Sequence, residues 1–106
     1  MPCNARVVIK ATVSVSNIGR IKKVILAQGW KMEGDGMKII MSREVTAYLE
    51  GSKLELRSTA ADWDAGVAQL KFIIKRMTAE GVEFEKIDQP ETHIHEPVAP
   101  WQKVSH

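Results

Sequence analysis

The stretch Val7-Val8-Ile9-Lys10-Ala11-Thr12-Val13-Ser14-Val15-Ser16-Asn17-Ile18-Gly19-Arg20-Ile21-Lys22-Lys23-Val24-Ile25-Leu26-Ala27-Gln28-Gly29 contains the change of period that decides the fold. In its first half Val7, Ile9, Ala11, Val13 and Val15 alternate with Val8, Lys10, Thr12 and Ser14, the pattern of a strand with one buried face. In its second half Ile18, Ile21, Val24 and Ile25 recur at helical spacing, with Asn17 placed to cap the start. Gly29 supplies the left-handed backbone on which a helix commonly ends.

Downstream, residues 30–33 and 37–41 read as strands around the turn Gly34-Asp35-Gly36. Residues 45–50 and 53–58 read as a hairpin closed by Gly51-Ser52, a two-residue turn with glycine first. A second helix starts at the cap Asp62, with Trp63, Val67, Leu70, Ile74 and Met77 as its apolar stripe. Asp64 in its first turn and Lys75 and Arg76 near its end suit the helix dipole. Gly81 stops it, and Val82 and Phe84, alternating with Glu83 and Glu85, predict a final strand. Beyond Asp88, Pro90, Pro97 and Pro100 interrupt any period.

These elements predict one α+β domain over residues 1–88 and an extended C-terminal tail over 89–106. The order is β-α-β-β-β-β-α-β, an antiparallel-rich sheet of about five to six strands with two helices on one face. The other face would carry Arg6, Val8, Lys10, Thr46, Tyr48, Glu55, Arg57, Glu83 and Glu85, polar and mixed in sign.

Several stretches together resemble a family of small proteins, the chloroplast and cyanobacterial reading-frame 35 type. They are Ile9-Lys10, Ile21-Lys22-Lys23, Gly29-Trp30, residues 54–63 running into the long helix, and Glu80-Gly81-Val82-Glu83-Phe84-Glu85. The similarity spans residues 6–87 and is one of layout. Bacterial members often lie beside ATPases of the AAA type, so the resemblance implies an accessory role and no known catalysis. This chain departs from the pattern in lacking the longer C-terminal hairpin and the aromatic-rich second helix.

Charge is distributed unevenly. Arg6, Lys10, Arg20, Lys22, Lys23 and Lys31 precede the first acid, Glu33; these six of the fifteen basic residues give +6. The remaining nine basic and thirteen acidic residues give −4, hence the net +2. The basic third is a candidate contact for something negative, either an acidic protein surface or phosphates. Nucleic acid is the alternative reading, through Arg6, Lys10, Arg20, Lys22, Lys23 and Lys31. It is weakened because Tyr48 is the only aromatic expected on the open sheet face, where a single-strand platform needs several.

No catalytic constellation stands out, and the chain reads as a non-enzyme without a cofactor. Cys3 lacks an evident base, and a single cysteine excludes an internal disulfide. Asp62 and Asp64 are explained by capping and the dipole. Gly34-Asp35-Gly36 lacks the lysine and helix of a phosphate loop. His93 and His95, two apart, are the only metal candidates, with Glu91 or His106 to join them; four oriented ligands are not evident and no metal site is expected. Trp30 and Trp63 are expected to close the core. Trp101 and Val98 in the tail either fold back on their own sheet or anchor in a partner; the partner reading is preferred, with Arg20, Lys22 and Lys23 steering an acidic one. A protein partner or self-association is expected and no membrane contact, since the longest apolar runs are far too short to span a bilayer. A cytoplasmic location is the corresponding expectation.

Overall fold

The computed structural model describes residues 7–33 and 38–92. Its elements are β1 (Val7–Val13), α1 (Ile18–Gln28), β2 (Lys31–Glu33), β3 (Lys38–Ile40), β4 (Val45–Glu50), β5 (Lys53–Ser58), α2 (Trp63–Ala79) and β6 (Phe84–Ile87). A 3-10 turn, Val15–Asn17, leads into α1. The predicted α+β class and element order are therefore observed. The turn Gly34-Asp35-Gly36, the residues before Val7 and those after Thr92 lie outside the described residues.

The six strands form one sheet in the order β2-β3-β4-β5-β1-β6, each neighbouring pair antiparallel. Two connections break the meander. The α1 connection carries the chain from β1 past three strands to the far edge, and α2 carries it from β5 past β1 to the other edge. Both helices lie over one face because alternation leaves only one apolar face to cover. That face presents Val7, Ile9, Val13, Ile39, Val45, Ala47, Leu54 and Leu56 to Ile21, Val24, Ile25, Leu70, Ile73 and Met77, all in one buried cluster.

Helix ends follow local chemistry. Asp62 Oδ2 accepts from the Ala65 N–H at 3.0 Å, as expected of the cap. At the end of α1, Trp30 N–H donates to Ile25 O and Gly29 N–H to Leu26 O, with Gly29 at φ 75°. At the end of α2, Val82 N–H donates to Met77 O and Gly81 N–H to Thr78 O, with Gly81 at φ 98°. Both are Schellman closures, and each places an apolar residue, Trp30 or Val82, back against the core.

Five expectations are corrected. Asn17 makes no capping bond; its Oδ1 instead accepts from the Glu83 N–H at 2.6 Å, tying the start of α1 to the approach to β6. Trp63 is 41% exposed and does not close the core. Of the expected α2 stripe, Leu70 and Met77 are buried and Val67 and Ile74 pack against the core, but Gly66 and Ile73 are also buried, because Gly66 lets the helix turn that side onto β1. The last strand starts at Phe84, since Val82 belongs to the helix closure. Finally, a bulge at Thr12/Val13 resets β6, so Lys86, not Glu85, stands opposite Thr12.

Pairing with β1 continues past residue 88. Asp88 N–H donates to Lys10 O, and Glu91 and Val8 exchange both backbone hydrogen bonds, at 2.8 and 2.9 Å. Pro90, without an N–H, sits between these bonds, where an edge tolerates it.

Candidate functional site

The open sheet face is organised by cross-strand rows. One row runs Lys38, Tyr48, Glu55, Lys10; the next runs Lys31, Ile40, Thr46, Arg57, Val8, Glu91. Arg57 ties them together. Its Nε donates to Glu55 Oε2 at 2.5 Å, and its guanidinium lies 4.5 Å from the centre of the Tyr48 ring. Lys10 faces Glu91 at 3.6 Å and Lys86 faces Asp88 at 3.6 Å. A shallow depression of about 380 Å³ lies among Lys10, Tyr48, Lys53 and Glu55. Basic and acidic groups are mixed in both rows, and the Tyr48 ring already has a cation on it. Val8, expected on this polar face, is fully buried between Arg57 and Glu91 of its row.

The basic residues of α1 do not form one surface. At about 100° per residue, Arg20 and Lys22 fall on opposite flanks of the helix and Lys23 on its crest. Arg20 extends over the end of α2, its Cδ and Nη1 about 3 Å from where a Cβ at Gly81 would stand. There a guanidinium complements the carbonyl end of the dipole. Lys22 and Lys23 are exposed beside Leu26, which is 77% exposed. Lys31 is exposed on the edge strand β2.

The feature that sequence reasoning missed lies between the helices. A cleft of about 590 Å³ has Met41, Val45 and Ile73 beneath it, Trp30 on one wall and Ala68 and Phe72 on the other. Gln28, the last residue of α1, and Trp30 after it form the wall opposite α2. Ala65 and Ala68, exposed and short, keep the α2 wall low. Phe72 is 58% exposed, and Arg76 rests 5.5 Å from its ring centre.

The mouth of the cleft is held by a hydrogen-bonded chain. Buried Ser58 Oγ donates to Gln69 Oε1 at 2.6 Å and accepts from Ala60 N–H at 3.1 Å, while Gln69 Nε2 donates to Glu44 Oε1 at 2.8 Å. This fixes α2, the end of β5 and the β3–β4 loop to one another. The one sequence signal for the cleft was Phe72, which lies roughly 130° round α2 from its buried stripe at the usual 100° per residue.

Trp101, Val98, His93, His95, Cys3 and Arg6 lie outside the described residues. Among the described residues no three His, Cys, Asp or Glu side chains gather as metal ligands would, and no helix is long and apolar enough to cross a membrane. Comparison of the chain with protein families, with curated proteins and with solved structures found no match.

Proposed function

We propose that this protein is a non-enzymatic accessory subunit that holds an apolar, acid-flanked segment of a partner protein in the cleft between α1 and α2. The observation that carries this reading is the exposed aromatic wall. Phe72 is 58% exposed above an apolar floor, and apolar grooves with aromatic walls are a recurrent means of holding peptide segments. Preference for acidic flanks follows from Arg76, which lines the cleft, and from exposed Arg43, which follows Ser42 of its lining. Exposed Lys23 on the crest of α1 adds to the same field. The resemblance to the reading-frame 35 type supports the same class of role, accessory to a larger assembly. Nucleic acid is the weaker alternative, since the open face is mixed in sign and its aromatic ring carries Arg57.

The test is the native mass of tagged protein drawn gently from its own cells, compared with that of Phe72→Glu, each with and without nuclease. A defined heavier species that survives nuclease and is lost in Phe72→Glu supports the reading. A heavy species that collapses to the 11.8 kDa chain only on nuclease overturns it in favour of nucleic acid. A heavy species unaffected by Phe72→Glu removes the cleft from the role.

A further inference from the structure

The described chain ends at Thr92, and where it ends bears on the cleft. Glu91 pairs with Val8, so the chain leaves the sheet alongside Val7, at one end of the strands. Val7, Ser58 and Val45 are successive partners across β1, β5 and β4 at that same end. Val45 lies beneath the cleft, α2 starts there with Gly66 against Val7, and Trp30 precedes β2, whose Lys31 shares the cross-strand row of Glu91. The chain therefore leaves the sheet at the same end of the strands as the cleft, and reaches it by passing round the start of α2, which packs over β1 and β5.

The residues that follow have the chemistry that the cleft selects. Glu96-Pro97-Val98-Ala99-Pro100-Trp101 is an apolar sequence with an acid at its start and two prolines, a composition that favours extended backbone in general. Distance permits the connection. Val45 is three strand spacings from the Glu91 line, about 14 Å at about 4.8 Å each. Rising to the helix layer adds about 10 Å. Residues 93–101 reach up to about 30 Å when extended.

We propose that the segment Val98–Trp101 occupies the α1–α2 cleft of its own chain when no partner is bound, with Trp101 against Phe72 and Glu96 toward the basic rim. The segment is then a tethered competitor for the partner. Its effective concentration, in the millimolar range for short tethers, sets how tightly a partner must bind to displace it. This rests on the reading of the cleft as a peptide site.

The experiment uses the full chain with Cys3→Ser and Lys103→Cys, a nitroxide on the new thiol, and isotope-labelled amide and indole N–H groups read by NMR. Expected is loss of the Phe72 and Arg76 amide signals and of the Trp30 indole signal, recovered on reducing the nitroxide. Adding Phe72→Glu restores all three while the amides of β1 and β5 keep their positions, which shows that the domain still folds. Unchanged intensities at the cleft would overturn the proposal. So would broadening seen only when spin-labelled, isotope-silent chains are mixed with unlabelled-spin, isotope-labelled ones, since the segment would then sit in a second copy. Failure here leaves the native-mass test of Phe72→Glu untouched, so the two readings fail separately.

Discussion

Replacing Gly66 by alanine tests the central packing contact of the domain. A Cβ at Gly66 would lie 2.7 Å from Val7 Cγ2 and 3.3 Å from Ser58 Oγ. Carbon atoms pack at about 3.5–4.0 Å, so Val7 or the helix must yield by about 0.8 Å. Neither yields readily. Val7 is fully buried and stiff at χ1, and β1 is hydrogen-bonded to β5 on one side and to the β6 line on the other. Overpacking of this kind costs about 1–3 kcal/mol. Against it stands the helix preference of alanine over glycine, worth up to about 1 kcal/mol. The net expectation is a loss of about 1–2 kcal/mol, which lowers the urea midpoint by about 1 M at an m-value near 1.5 kcal/mol/M.

Gly19→Ala is the control, because its Cβ meets nothing within 4 Å. Only the propensity gain remains there, and stability should rise by a few tenths to about 1 kcal/mol. Combining Gly66→Ala with Val7→Ala should cost at least about 1 kcal/mol less than the sum of the two alone, since removing the valine methyls makes the space the alanine needs. Equal stabilisation by Gly66→Ala and Gly19→Ala in urea unfolding would refute the close approach of α2 to β1.

Three further outcomes follow from named contacts. Ser58→Ala should lower stability by about 1–3 kcal/mol in urea unfolding, because the Ala60 N–H and Gln69 Oε1 lose their shared partner at a buried position. Asn17→Ala should cost about 1 kcal/mol and speed hydrogen exchange at the Glu83 amide, whereas Asn17→Asp, which keeps the acceptor, should spare both. Trp63→Ala should cost under about 1 kcal/mol by thermal unfolding and Trp30→Ala about 3 kcal/mol or more, because only Trp30 packs on the core.

Elements with one consistent pattern were legible in the sequence. Alternation in β1, β4 and β5, the Asp62 cap, the Gly29 stop and the Gly51-Ser52 hairpin all express local physics, and the structure repeats them. The errors arose where a distant segment competed with the local signal. Asn17 has a good capping side chain, but the Glu83 amide takes its oxygen. Four of the five residues of the expected α2 stripe, Val67, Leu70, Ile74 and Met77, do meet the core, but the absence of a side chain at Gly66 lets α2 settle with Ile73 buried and Trp63 exposed. The bulge at Thr12/Val13 has no marker in β6 itself. The candidate site was least legible. The basic residues were visible as composition, but their division between a helix crest, a helix end and a sheet face is a property of the assembled fold. The cleft is defined by a gap between two helices, which neither helix encodes alone.

The position of β1 has a consequence for how the chain is made. It is the earliest strand to be synthesised, yet it belongs between β5 and β6, and its first partner follows only after a helix and three further strands. At about 5–20 residues per second, the nearly continuous apolar run from Val7 to Val13 waits on the order of seconds with both edges unpaired. Such a wait makes folding slow for so short a chain and leaves an adhesive segment exposed to nascent neighbours. A ribosome stalled before β5 would hold a chain whose first strand has nothing to join.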